Sequence, residues 1–79
     1  MSVQMHPVES SNIFRVGYDE EARELHIVFH KGGTPNPWEY VYREVPQEIF
    51  SGMLDAESKG KFFRAHVLNV YEFTKLPRE

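Results

Sequence analysis

Leu25-His26-Ile27-Val28-Phe29-His30, followed after a short break by Trp38-Glu39-Tyr40-Val41-Tyr42, is the part of the sequence that decides the fold. In the first run Leu25, Ile27 and Phe29 alternate with His26, Val28 and His30. In the second, Trp38, Tyr40 and Tyr42 share one side, opposite Glu39, Val41 and Arg43. A period of two is the pattern of a half-buried strand, because successive side chains leave a strand on opposite faces. The break, Lys31-Gly32-Gly33-Thr34-Pro35-Asn36-Pro37, is dense in turn residues and is read as a loop. So short a connection makes the two strands neighbours and antiparallel.

Towards the N-terminus, Phe14, Val16 and Tyr18 alternate with Arg15 and Gly17 over residues 13–19, giving a third strand joined by the charged turn Asp19-Glu20-Glu21-Ala22-Arg23-Glu24. Three consecutive strands with short links form a meander. Residues 1–9 read as a loose lead-in around Pro7, with room for a short edge strand. Towards the C-terminus, Pro46 ends the last strand and suits the first helical position, with Glu48 facing the helix dipole. Ile49, Phe50, Met53 and Leu54 then form an apolar stripe. Ser58 caps a second helix carrying Phe62, Phe63, His66, Val67 and Val70 on one face, and Pro77 stops it before a flexible tail at 76–79. The expected architecture is α+β, a three-stranded antiparallel meander followed by two helices packed on one face, in a single domain over residues 1–79.

A chain of 79 residues buries little core, and six Phe, four Tyr and one Trp compensate by their size. With no Cys, no disulfide or thiolate zinc site can staple it; a dimer interface is the other available aid. There is no apolar run long enough for a membrane span and no secretory start at Met1–Pro7, so the expected location is a reducing cytoplasm. Net charge is −3, unevenly spread: residues 1–57 carry four Lys/Arg against ten Asp/Glu, whereas residues 58–79 carry five against two. That asymmetry fits either an interaction surface or an ordinary basic tail on an acidic domain.

Ser10-Ser11-Asn12-Ile13, Val16-Gly17-Tyr18-Asp19, Phe29, Gly33 and Tyr40-Val41-Tyr42 resemble the corresponding segments of the KTSC domain. The resemblance continues through Val45-Pro46, Leu54, Ala56-Glu57-Ser58-Lys59-Gly60, Phe62-Phe63, Val67 and Tyr71, and so spans residues 8–72. It implies a domain also carried at the C-terminus of some lysyl-tRNA synthetases and found alone in bacteria or phages, with an association with RNA.

The residues themselves offer one candidate site. Ser58-Lys59-Gly60-Lys61 opens a helix, where free N–H groups and two cations suit an anion. Lys61, Arg64, Leu68, Tyr71 and Lys75 recur at helical intervals, so cations could meet phosphates of RNA or DNA while Tyr71 stacks on a base. Against this stands the plainer view that Ser58 is only a cap and the stripe a solvated face. Trp38, Tyr40 and Tyr42 could stack bases on an open sheet, but the expectation is that they fill the core under the helices. His26 and His30 share a face about 13 Å apart at about 3.3 Å per residue, too far for one metal ion. No cofactor, metal or catalytic motif is expected, and the carboxylates of residues 19–24 read as a solvated cluster. Two functions compete: a non-enzymatic accessory module binding RNA weakly, and a protein-interaction or homodimerisation module using the open strand edges.

Overall fold

The computed structural model describes residues 3–10, 12–31 and 34–77. Its elements run β1 (Met5–Pro7), β2 (Ile13–Asp19), β3 (Glu24–Lys31), β4 (Thr34–Pro35), β5 (Trp38–Tyr42), α1 (Gln47–Asp55), α2 (Lys59–His66) and β6 (Phe73–Pro77). The fold is α+β, with the two helices following the meander, but the sheet is larger than three strands. Five strands lie side by side in the order β1-β2-β3-β5-β6, every pair antiparallel, and the two-residue β4 folds back on the end of β3.

The added strands are at both edges. Met5–Pro7 takes the lead-in alongside β2, through Met5↔Gly17 and Pro7↔Arg15. At the other end the second helix stops at His66, well short of the extent its periodicity suggested. Leu68 N still donates to Phe63 O, but Asn69 then adopts a left-handed φ of 63°, and no helix passes through such a residue. The following Phe73-Thr74-Lys75-Leu76-Pro77 is β-branched and aromatic at its start and pairs with β5. Leu76 and Pro77 are thus strand rather than tail; Arg78, Glu79, Met1 and Ser2 lie outside the described residues.

A bulge corrects the reading of β2. The register slips between Ile13 and Arg15, so Ile13 and Val16 both enter the core fully buried. Phe14 instead meets the His30 ring edge-on, centroids 5.3 Å apart, beneath the Arg15 guanidinium. The charged turn between β2 and β3 forms as expected: Asp19 Oδ1 accepts from Glu21 N and Ala22 N, and Arg23 supplies the left-handed residue.

The helices pack on one face of the sheet. Ile13, Val16, Leu25, Ile27, Tyr42 and Val45 pack against Met53, Phe63 and Val67. Phe50 of α1 stacks on Tyr18, whose hydroxyl donates to Val45 O. Phe63 of α2 stands edge-on to both Phe29 and Tyr42. Gly52 lets the helices approach, because a Cβ there would lie 2.7 Å from Cζ of Phe62. On the other face His26, Val28 and Val41 are also buried, and His26 Nδ1 lies 2.6 Å from Glu39 Oε2 across the β3–β5 pair. A carboxylate only accepts, so the imidazole Nδ1–H is the donor. Among the described residues no helix is long and apolar enough to cross a membrane.

Candidate nucleic-acid interface

The face that bears the helices is not wholly covered by them. Cross-strand pairs Tyr42–Phe73, Tyr40–Lys75 and Trp38–Pro77 march along it from β5 to β6. Tyr42, under Phe63, is only 3% exposed, whereas Trp38 at the far end is 39% exposed. Tyr40 between them is half-buried. The sequence expectation that all three fill the core therefore holds for Tyr42 and fails for Trp38. The physical reason is reach: α1 and α2 together supply 17 residues, nine and eight, and their side chains end over Tyr42 and Phe29.

What lies open is an aromatic platform with a cation on it. Lys75 Nζ sits 5.1 Å from the Trp38 ring centroid and 6.0 Å from that of Tyr40. Phe73, itself exposed, tilts against Tyr40 and Tyr42 at 5.4 and 5.3 Å. Phe29 meets Tyr40 and Phe63 edge-on, both at 5.2 Å, so a chain of rings links β6 through the sheet to α2. None of the six paired positions on this face carries a carboxylate. Desolvation by burial, with Tyr40 beside it, pushes the Tyr42 phenol up to about 12, so it stays neutral beneath the platform.

The predicted site residues separate on this frame. Ser58 is a working cap, its Oγ accepting from Lys61 N at 3.3 Å. Lys59 is half-buried and its Nζ donates to Ala56 O at 2.7 Å, closing the α1–α2 turn. Gly60 is buried against the Asn12 side chain. Lys61 and Arg64 are exposed on α2. Tyr71 and Lys75, expected on the same helical stripe, are not helical. Tyr71 is half-buried and lines a depression shared with Glu24, Glu44, Glu72 and Arg43, the last ion-paired to Glu72, so carboxylates outnumber cations there, poor surroundings for a phosphate. Lys75 is on β6, yet reaches the helix-bearing face through Trp38 and Tyr40. Trp38, weighed for an open face but assigned to the core, is exposed, and Phe73, also exposed, is not among the sequence candidates. The Asn69 turn and the Phe73-Thr74-Lys75 pattern are the signals that could have found them.

Among the described residues no three His, Asp or Glu side chains are grouped to hold a metal ion. The depression at the β2–β3 turn is lined by Asp19, Glu20 and Glu21, and is acidic like that around Tyr71.

A small antiparallel sheet with two helices over half of one face, and rings with a cation on the rest, is the class of protein this is. The family model of the KTSC domain matches residues 9–71, and the chain belongs to the KTSC domain family. The crystal structure of KTSC domain protein YPO2434 from Yersinia pestis superposes with a TM-score of 0.84 at 33% identity, covering 95% of this chain and 99% of that one. A protein of Tsukamurella paurometabola is 47% identical over 58 residues, 73% of this chain and 79% of its own. An uncharacterized protein of Stutzerimonas stutzeri is 34% identical over 56 residues, 71% and 72% of the two chains. Of the residues that carry the resemblance, Ser11 and Gly33 lie outside the described set.

Proposed function

We propose that this domain is a non-enzymatic accessory module of the cytoplasm that binds single-stranded nucleic acid, RNA in preference to DNA, across the open half of its sheet. The observation that carries the reading is Lys75 poised over the half-exposed Trp38 indole, with Tyr40 and Phe73 alongside. Bases stack on such rings irrespective of sequence, and the cation meets the backbone between them. Arg64 on α2, which lines a groove together with Phe29 and Phe63, adds a cation at the inner end of the ring chain, and Lys61 is exposed on the same helix. The preference for RNA rests on the resemblance to a domain that some lysyl-tRNA synthetases carry.

Trp38 is the single tryptophan of the chain, which makes the test direct. Titration with octamers of RNA and DNA at low salt should quench indole emission as bases stack. Anisotropy of a labelled octamer should show Trp38→Ala weakening binding by about fivefold to a hundredfold, the range of ~1–3 kcal/mol per stacked base. Unquenched emission in the presence of saturating RNA would remove this reading.

A second reading is favoured by β6 itself, all five of whose residues are exposed, with Phe73 and Leu76 among them. Arg43 N donates to Glu72 O, so by the antiparallel alternation Thr74 and Leu76 bond to β5 and Phe73 and Lys75 turn their backbone outward. A second chain could pair there. Lys75 and Pro77 are the kinds of residue that blunt an edge, which is why this reading ranks second. Light scattering decides it: a concentration-dependent dimer supports the edge, and a monomer at high concentration counts against it.

A further inference from the structure

Beside the platform, α2 and the open end of the β2–β3 pair enclose a groove of about 270 Å³. We propose that this groove is a pocket for one unpaired base, adenine by preference, read by the Asn12 carboxamide; the proposal rests on the nucleic-acid reading above. Ile13, Phe29 and Phe63 form its apolar floor, and Asn12, Gly60 and Arg64 its polar rim. Phe29 and Phe63 are also the inner links of the ring chain, so a strand lying over Trp38 and Tyr40 meets the groove at the next ring.

Asn12 is held as a reader would be. Its backbone is fixed at both ends, N donating to Ser10 Oγ at 3.2 Å and O accepting from His30 N at 2.8 Å. Its carboxamide makes no hydrogen bond with any described residue and is exposed at the rim. An unpaired carboxamide offers a donor and an acceptor in one plane, the combination that matches adenine N7 and N6–H₂. Gly60 makes the space for it: a Cβ there would stand 2.8 Å from Asn12 Nδ2. Glycine in a helix costs about 1 kcal/mol relative to alanine, so α2 gives up stability at the position where the carboxamide rests. Arg64, exposed on the same rim, is placed for the phosphate of the captured nucleotide. Asn12 and Gly60, distant in sequence and both part of the family resemblance, meet here.

The test is a competition among labelled RNA octamers of A, C, G and U, read by anisotropy with the full chain, its Asn12→Ala variant and its Gly60→Ala variant. Oligo(A) should bind the parent chain about fivefold or more tighter than the other three, the lower range for a bidentate base contact. Asn12→Ala should erase that margin while leaving the other three octamers unchanged. Gly60→Ala should reduce it by displacing the carboxamide, with a melting temperature no lower than the parent's. Equal binding of all four by the parent chain, or a preference that survives Asn12→Ala, overturns the pocket while leaving the platform standing. Binding of none, with Trp38 emission unchanged, overturns both.

Discussion

Tyr42 and Trp38 leave the same strand on the same side, four residues apart, and meet opposite fates. Tyr42 lies beneath Phe63 and is sealed; Trp38 lies beyond the helices and carries a lysine. The difference is not in their chemistry, since both are large amphipathic aromatics, but in how far two short helices extend along the sheet. One face thus does two jobs. Its inner half holds the fold together, and its outer half is free to hold something else.

This division can be broken at either end. The largest effect is expected from Phe63→Ala, which uncovers Tyr42 and leaves a cavity in the core: a loss of about 3–5 kcal/mol in urea unfolding. The matching change on the outer half, Trp38→Ala, should shift the same unfolding curve by less than about 1 kcal/mol. If the two destabilise equally, the halves are not distinct. Between them comes Glu39→Ala, on the reverse face, which leaves the buried His26 Nδ1 without its partner and should cost about 1–3 kcal/mol. Lys75→Ala should leave stability nearly unchanged and lower the salt slope of RNA binding by roughly 0.7, one phosphate contact on a single strand. The smallest effect is at alkaline pH. Tyr42 has its pKa raised from 10.0 to about 12 on folding, so its neutral form contributes stability that is whole below pH 10 and is lost as pH rises towards 12. Tyr42→Phe should flatten the fall in stability across that window.

Much of the inner half could be read from the residues. Strict alternation located β3 and β5, Pro46 marked the entry to α1, and Ser58 capped α2 as expected. The outer half was hidden for two local reasons. His66, Val67, Val70 and Tyr71 happen to continue a helical spacing, and only the left-handed Asn69 betrays that the backbone has already turned. A stripe drawn through that turn joined Lys61 to Lys75, which stand on α2 and β6, and it placed Tyr71 beside phosphates when Glu24, Glu44 and Glu72 surround it with Arg43. The bulge at Phe14 hid in the same way, because one extra residue in a strand leaves no mark on composition. Lys59 read as a free cation, and its bond to Ala56 O shows how a main-chain acceptor can occupy a charge that the sequence presents as available.

β6 is hydrogen-bonded on one side only, to β5, and its side chains are exposed throughout. A strand so thinly attached frays more readily than β2, β3 and β5, each of which is paired on both sides, and each opening carries Lys75 away from the indole. On the proposed reading, a strand bound to the platform holds β6 closed. Amide exchange at Thr74 and Leu76 should slow when RNA is present, while the amides of β3 keep their pace.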